Sequence, residues 1–156
     1  MMKTTALFVG RFQPLHRGHV RAIRELLKRY RCVIVLVGST NKRDQENPFS
    51  FSERRRMFER VFKNQQRLRI RGMSDVDNDP VWTRNVARIR FDVVVSGNPH
   101  VLRCLEKFPH EKLKFYQAKS YNATNIRKLL KEKNRRWRTL VPKQIAPLVE
   151  KGFYKK

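Results

Sequence analysis

Residues 6–19 read Ala-Leu-Phe-Val-Gly-Arg-Phe-Gln-Pro-Leu-His-Arg-Gly-His. The apolar run at residues 6–9 predicts a buried strand, and the glycine and proline after it predict a tight turn. His16 and His19 follow at the start of a helix with regular apolar spacing. In an open α/β sheet, phosphates and nucleotides are usually held at such a junction, beyond the carboxyl ends of the strands. The stretch therefore predicts an anion-binding site at the first strand–helix junction.

Strand-like and helix-like runs alternate along the rest of the chain. The first helix carries apolar side chains on one face, namely Ile23, Leu26, Leu27 and Tyr30. Further strands are predicted at residues 32–37, 68–71, 91–96 and 113–117. A Ser-Phe-Ser-Glu capping box at residues 50–53 predicts the start of a second helix. Asp79 as N-cap and Pro80 as first helical residue predict the start of a third. Two more helices are predicted to begin near Val101 and at Thr124. This alternation predicts an α/β fold: a doubly wound, Rossmann-like parallel sheet with helices on both faces.

The length of the chain fits one domain. Its 156 residues contain no linker, repeat or low-complexity stretch, so we expect a single domain over residues 1–156 with a basic helical C-terminal segment at about residues 124–156. No stretch approaches the roughly 18 apolar residues of a membrane-spanning helix, and no secretory segment is recognisable. We therefore expect no membrane association and a cytoplasmic location. Cys32 lies on a predicted strand and Cys104 on a predicted helix, and we expect both to be buried free thiols and not a disulfide; no zinc-ligand spacing is present.

The charge of the chain is strongly positive. It has 37 Lys and Arg against 13 Asp and Glu, a formal net charge of +24. Such a field attracts nucleotides and polyanions, and it also fits a cation-rich solvated surface. Residues 119–138 hold eight Lys/Arg and one Glu with Tyr121 and Trp137 between them, a mixture that can bind single-stranded nucleic acid. The same segment has the buried face of an ordinary helix, so we expect nucleic-acid binding only as a secondary property.

The two histidines carry the most specific chemical signal. At a spacing of three residues at a helix start they face the same way. Basic and small residues surround them and suit a triphosphate, namely Arg11, Arg17, Gly10 and Gly18. A metal site is the competing interpretation, but two histidines without a nearby carboxylate make a poor one. A bound triphosphate would raise the pKa of the histidines and favour their cationic form.

A family resemblance rests on these residues. Gly10-x-Phe12-x-Pro14-x-His16-x-Gly18-His19 resembles the signature of the HxGH nucleotidyltransferases. Its fuller form, Gly-Arg-Phe-Gln-Pro-x-His-x-Gly-His, is similar to that of the archaeal-type nicotinamide-mononucleotide adenylyltransferases. Further pieces match in the same order over about residues 4–150: Asn47-Pro48-Phe49 with Ser52-Glu53-Arg54, Asp75-Val76 followed by Trp82, Ser96-Gly97-Asn98-Pro99, and Asn122-Ala123-Thr124-Asn125-Ile126-Arg127.

The resemblance implies transfer of AMP from ATP to nicotinamide mononucleotide, giving NAD and pyrophosphate. The acceptor phosphate would attack the α-phosphorus in line, without a covalent enzyme intermediate. The implied catalytic residues are His16, His19 and Arg127. The implied ATP-binding residues are Gly10, Arg11, Phe12, His16, Gly18, His19, Asn98, Thr124 and Arg127.

For the acceptor, the resemblance implies Asp75 and Val76, with Trp82 stacked on the nicotinamide ring; a core tryptophan is the alternative. Mg²⁺ is implied as the metal, held mainly by the ATP phosphates and not by protein ligands. Family members often form homo-oligomers, frequently hexamers.

The chain departs from the family pattern on the acceptor side. Glu46 stands where a basic residue is usual, so that Lys42 or Arg43 would supply the charge. Where the family has a residue with a side-chain amide, the chain has Asn78 or Asp79, depending on the alignment. The last motif begins with Asn122-Ala123-Thr124 and not with the usual Ser/Thr-x-Thr. Adenylyl transfer to flavin mononucleotide or phosphopantetheine therefore stays an alternative, as does a nucleic-acid-associated module with an inactive nucleotide fold.

Overall fold

The computed structural model describes residues 3–113 and 121–155. In these ranges five strands form one parallel sheet in the order β3-β2-β1-β4-β5. The strands are β1 (Lys3–Gly10), β2 (Tyr30–Val37), β3 (Leu68–Gly72), β4 (Val93–Ser96) and β5 (His110–Lys112). The helices are α1 (Arg17–Arg29), α2 (Phe51–Val61), α3 (Asp79–Ala87), α4 (Pro99–Cys104), α5 (Ala123–Lys131) and α6 (Ala146–Tyr154), with 3-10 turns at Arg135–Thr139 and Lys143–Ile145.

The strand order reverses between β1 and β4. The chain builds the sheet outward from β1 through β2 to β3, then returns to the other side of β1 for β4 and β5. Leu7 of the central strand lies opposite Ile34 on one side and Val94 on the other. A reversal of this kind opens a crevice at the carboxyl ends of the strands. The crevice therefore lies directly beyond Gly10, where the first motif begins.

Apolar side chains bury both faces of the sheet. Phe8 and the residues that alternate with it pack against α1, α2, α5 and the C-terminal helices. Leu7 and Val9 point to the opposite face, where they pack with Val86 and Leu105 near α3 and α4. Burial on both faces explains the continuous apolar run in β2, since each fully buried aliphatic side chain contributes about 1.5–3 kcal/mol. The predicted fold class, a doubly wound parallel sheet, is confirmed.

Several boundaries differ from the predictions. Tyr30 is not the last apolar position of α1: the helix ends at Arg29, and Tyr30 is extended (φ −126°, ψ 148°) and begins β2. Asn78, not Asp79, is the N-cap of α3, because its side chain accepts the Val81 N–H at 3.0 Å. The helix begins with Asp79-Pro80 and ends before Ile89.

The last predicted strand is displaced. The described strand at that edge is His110–Lys112, which precedes the predicted range. Of the predicted residues 113–117, the last four lie outside the described residues. Among the helices of the described ranges, none has the length and apolar character needed to cross a membrane.

Candidate active site

The turn between β1 and α1 is closed by a reciprocal capping box made of two histidines. His16 is the N-cap of α1, and its Nδ1 accepts the His19 backbone N–H at 3.3 Å. In return, His19 Nδ1 accepts the His16 backbone N–H at 3.2 Å. The rings stack with centroids 3.5 Å apart at an interplanar angle of 20°. Because each Nδ1 is an acceptor, the proton of each neutral ring is on Nε2, and Nε2–H is the donor group of both rings.

Burial keeps both imidazoles neutral. Desolvation lowers the pKa of His16 to about 3. Desolvation, followed by repulsion from His16, lowers the pKa of His19 well below its usual range. Both histidines are therefore neutral here, and a proton on Nδ1 would also break the capping box. The cationic form expected beside a bound triphosphate stays a prediction. The donors of this turn are neutral Nε2–H groups.

Close ring packing requires both glycines of this turn. Phe12 has a φ of 54°, and its ring centroid lies 4.7 Å from that of His19. A Cβ on Gly10 would lie 2.8 Å from Cζ of Phe12. A Cβ on Gly18 would lie 2.9 Å from Cε1 of His16. The glycines therefore leave room for the rings, and the buried Phe12 supports His19.

The start of α5 forms the second part of the site. Asn122 caps the helix, since its side chain accepts the Asn125 N–H at 2.7 Å. Arg127 donates from Nη1 to the Gln13 carbonyl at 2.9 Å and from Nη2 to the Thr124 hydroxyl at 3.3 Å. Partial burial lowers the pKa of Arg127, yet a guanidinium stays charged in proteins. A permanent cation thus joins α5 to the turn that carries the histidines.

Asp75 lies after β3 and is held by the loop that follows β2. Its carboxylate accepts hydrogen bonds from Ser39 Oγ at 2.7 Å and Lys42 Nζ at 3.1 Å. Burial raises the pKa of Asp75, but the hydrogen bonds from Ser39 and Lys42 outweigh it, so that the pKa lies below its usual value. Of the two cations considered for the acceptor side, Lys42 lines the cavity. Arg43 instead pairs with Glu53 at 3.8 Å.

Trp82, Val76 and Asn98 are three further residues that the sequence predicts for the site. Trp82 on α3 is half-buried: it packs against the core and also lines the cavity. Its stacking on an acceptor ring stays a prediction. Val76 is one of the exposed large apolar residues, at 37%. Asn98 caps α4 by accepting the His100 N–H at 2.9 Å.

A cavity of about 730 Å³ brings these groups together, a size typical of ligand sites. Among the described residues it is lined by the sequence-predicted Gly10, Arg11, Phe12, His16, His19, Asp75, Val76, Trp82, Asn98, Thr124 and Arg127. Gly18 is not part of this lining; it contacts the ring of His16, which is. Arg17, expected beside a triphosphate, instead donates from Nε to the Thr139 carbonyl at 3.0 Å.

Arg54 belongs to the Ser52-Glu53-Arg54 piece of the family resemblance, but the sequence interpretation gave it no role; in the structure it supports the site. It is fully buried, and its guanidinium donates to the carbonyls of Arg11 at 2.7 Å and Gly38 at 2.8 Å. Further bonds reach the carbonyls of Ser39 and Ser50. Burial is the main cause that lowers the pKa of Arg54 to about 10. One cation therefore ties together the ends of β1 and β2 and the start of α2.

A signal for Arg54 does exist in the sequence. It occupies the inward stripe of α2, three and four residues before the buried Met57 and Phe58. A charged residue in such a stripe indicates a buried cation with dedicated partners. Gln13, in the turn between β1 and α1, is a second buried polar residue with dedicated partners: its amide exchanges two 2.9 Å hydrogen bonds with the backbone of Phe49.

Comparisons with known proteins identify the family of the chain. Residues 7–140 match the family described as cytidylyltransferase-like. Over 154 residues the chain is 36% identical to the nicotinamide-nucleotide adenylyltransferase of Sulfurisphaera tokodaii, covering 93% of this chain and 90% of the relative. It is 33% identical to nicotinamide-nucleotide adenylyltransferase 1 of Sulfolobus acidocaldarius, covering 92% and 87%.

A solved structure shares the fold. The bifunctional NMN adenylyltransferase/ADP ribose pyrophosphatase of Francisella tularensis superposes with a TM-score of 0.73 at 24% identity. The match covers 92% of this chain and 44% of the Francisella chain. That protein has also been solved in complex with AMP and a manganese ion.

Proposed function

The chain belongs to the cytidylyltransferase-like family and, within it, to the nicotinamide-nucleotide adenylyltransferases, and from this premise we propose that it transfers the adenylyl group of ATP to nicotinamide mononucleotide. The products are NAD and pyrophosphate. One observation carries the proposal: the histidine capping box, Arg127 and Trp82 line one cavity at the reversal point of the sheet. The donors proposed to bind phosphate and the aromatic surface proposed for the second substrate therefore line one cavity.

The proposed reaction is a single displacement. An oxygen of the acceptor's 5′-phosphate forms a bond to the α-phosphorus of ATP. The bond from that phosphorus to the bridging oxygen breaks, and pyrophosphate leaves with the electron pair. Because no protein atom is bonded to phosphorus, the chain contributes positioning and charge stabilisation. We assign this stabilisation to the Nε2–H groups of His16 and His19 and to the guanidinium of Arg127.

The remaining ATP contacts follow from the cavity lining. Arg11 and Thr124 lie beside the histidines and Arg127 and are proposed to contact phosphate oxygens. Asn98 at the start of α4 is proposed to contact the adenosine. Gly10 and Phe12 shape the turn. Gly18 is proposed to support ATP binding indirectly, because it leaves room for the ring of His16.

A divalent cation fits the site as a companion of the substrate. The cavity carboxylates are Glu46, Asp75, Asp77 and Asp79, and Asp75 is engaged by Ser39 and Lys42. In the described ranges, no group of three ligand side chains lies at the histidine end. Mg²⁺ would thus be held mainly by phosphate oxygens and water, which suits its preference for hard oxygen ligands. When bound, it would neutralise phosphate charge; the manganese ion with AMP in the Francisella protein supports a divalent cation beside the nucleotide.

The acceptor is proposed to stack on Trp82, with Asp75 and Val76 beside it. The cavity-facing part of the indole supports this role. Trp82→Phe should keep the KM for nicotinamide mononucleotide within a few-fold, whereas Trp82→Ala should raise it by about 10-fold, in line with an aromatic contact worth 1–3 kcal/mol. Equal KM values in both variants would remove Trp82 from the acceptor site.

An acceptor panel tests the activity. Pyrophosphate release is measured with ATP and, in separate reactions, nicotinamide mononucleotide, its acid form, flavin mononucleotide and phosphopantetheine. The proposal predicts release with nicotinamide mononucleotide above the other acceptors and above ATP alone. Absence of release with nicotinamide mononucleotide and its acid form would overturn the acceptor assignment. The exposed His110→Ala variant is a matched histidine control and should react like the unmodified protein.

We also propose the organisation of the whole protein. Residues 1–156 would act as one domain, whose C-terminal segment is anchored by packing of α6 against α2. We propose that the protein forms a homo-oligomer, with a hexamer suggested by the family resemblance. We propose a cytoplasmic location, because both substrates are cytoplasmic metabolites. Trp137 is 2% exposed and Tyr121 lines the cavity, so the aromatic residues expected to stack nucleic-acid bases are engaged elsewhere. Nucleic-acid binding would then rest on charge alone and stay secondary.

A further inference from the structure

Three side chains of different chemistry converge where α3 meets α4. Asp79 is the first residue of α3, and His100 and Cys104 stand four residues apart on α4. Asp79 Oδ1 lies 3.2 Å from His100 Nε2, and Cys104 Sγ lies 3.7 Å from the same nitrogen. The three ligand atoms all lie within 4.8 Å of one another.

This geometry does not fit a catalytic triad of thiol, imidazole and carboxylate. In such a triad the thiol and the carboxylate face different ring nitrogens, because the imidazole passes the proton from one side while the other side orients it. Here the carboxylate and the thiol both face Nε2 of His100. A shared focus for one oxygen, one nitrogen and one sulfur is instead typical of metal coordination.

Two of the three separations, oxygen to nitrogen and nitrogen to sulfur, agree with a tetrahedral zinc site. With Zn–O, Zn–N and Zn–S bonds of about 2.0, 2.1 and 2.3 Å, tetrahedral angles place oxygen about 3.3 Å from nitrogen and nitrogen about 3.6 Å from sulfur. The observed 3.2 and 3.7 Å are close to these values. The mixed ligand set favours Zn²⁺ or a similar transition-metal ion over Mg²⁺. A carboxylate and a thiolate also supply two negative charges for a divalent cation.

We propose that Asp79, His100 and Cys104 bind one Zn²⁺ ion, with the fourth position left for water or another ligand. Asp79 and His100 also line the main cavity, three residues before Trp82 and two residues after Asn98 respectively. The ion would therefore link the two helices at the rim of the cavity. This inference does not depend on the proposed function, because it concerns ligands that the transfer reaction does not use.

Cobalt substitution tests the site directly. The full-length reduced protein is titrated with Co²⁺, and absorption is followed for the thiolate-to-cobalt charge-transfer band in the near ultraviolet. Equilibrium dialysis with Zn²⁺ gives the number of ions per chain. The proposal predicts one ion per chain and a saturable charge-transfer band that Zn²⁺ abolishes by displacement.

Matched variants assign the ligands. Cys104→Ala should lose the charge-transfer band, His100→Ala should lose stoichiometric binding, and Cys32→Ala, which removes the other thiol, should keep both. Circular dichroism verifies that each variant is folded. A band that persists in Cys104→Ala, a band lost in Cys32→Ala, or binding below one ion per chain would overturn the proposal. Metal binding and adenylyl transfer are separate readouts, so failure of one leaves the other interpretable.

Discussion

At the scale of single residues, the histidine pair combines a structural and a chemical task. Each ring uses Nδ1 to satisfy a backbone N–H at the start of α1, a group that would otherwise have no partner in the helix. The same bond fixes the tautomer, so that Nε2–H serves as donor. Helix capping therefore orients the groups assigned to the phosphates, and the two tasks can be separated by substitution.

His19→Asn separates these tasks. The asparagine oxygen can replace Nδ1 as the cap acceptor, whereas no group replaces Nε2–H. We expect kcat to fall by about 100-fold or more, as for loss of one oxyanion donor, with a small change in ATP binding. Steady-state kinetics and ATP titration measure both. Near-normal kcat in His19→Asn together with a large loss in His19→Ala would assign this residue to capping alone.

The depressed histidine pKa values predict acid-labile folding. The pKa of His16 is about 3 in the folded protein against 6.5 as its ordinary value, so the unfolded chain binds more protons between these pH values. The stabilisation is complete above pH 6.5 and is lost as the pH falls toward 3, by at most about 1.4 kcal/mol per pH unit.

Urea unfolding of the unmodified protein and His16→Asn at several pH values isolates this contribution. Asparagine keeps the N-cap but does not titrate. The difference in unfolding free energy between the two proteins should shift in favour of the variant as the pH falls below 6.5. If the unfolding free energies of the two proteins changed with pH in the same way, burial of His16 would not oppose its protonation.

Arg54 predicts a large and local effect on stability. Arg54→Met leaves several carbonyls without the cation that holds them, which should cost on the order of 3 kcal/mol or more. Arg55→Met is the matched control: that exposed residue pairs with Glu59, and its loss should cost less than about 1 kcal/mol. Urea unfolding measures both, and similar losses in the two variants would contradict the role of Arg54.

At the scale of elements, α5 closes the site across the sequence. Arg127 reaches the carbonyl of Gln13, 114 residues earlier. The hydrogen bond orders the guanidinium before any ligand arrives, which lowers the entropic cost of gripping phosphates. The contact therefore makes the start of α5 the second half of the proposed ATP clamp.

Arg127→Ala should mainly weaken ATP binding. A charge-assisted hydrogen bond to phosphate is worth about 1.5–3 kcal/mol, so the ATP dissociation constant should rise by about 10-fold to 100-fold. Lys128→Ala, an exposed cation on the same helix, controls for loss of charge alone and should change it little. Calorimetric titration measures the ATP dissociation constant of each variant. Equal increases in the two variants would show that Arg127 contributes only its charge and no specific contact with ATP.

The elements also show where sequence reasoning succeeds. The Ser50–Glu53 capping box and the apolar stripe of α1 are local patterns, and the structure contains both. Tyr30 follows directly after α1 and begins β2. A buried apolar residue at this position fits the apolar face of the helix and the buried strand equally well, so the pattern does not decide between them. The Asp79–His100–Cys104 cluster depends on how α3 packs against α4, and Lys42 is distinguished from Arg43 by tertiary contacts. Local periodicity contains neither kind of information.

At the scale of the whole molecule, sheet order explains why distant motifs meet. The reversal between β1 and β4 brings the β1–α1 turn, the start of α4 and the loop after β3 to one edge. The net charge of +24 adds a long-range field that favours anionic substrates. Fold and charge thus direct two phosphorylated substrates to one crevice.

Direct transfer of the adenylyl group between two substrates in that crevice can be measured with labelled ATP. ATP radiolabelled at the α-phosphorus is incubated with the protein, Mg²⁺ and nicotinamide mononucleotide, and NAD, pyrophosphate and protein-bound label are quantified. We expect labelled NAD equimolar with pyrophosphate, no label on the protein, and near-complete loss of product in His19→Asn. Label retained on the protein, or release of AMP without NAD, would rule out direct transfer.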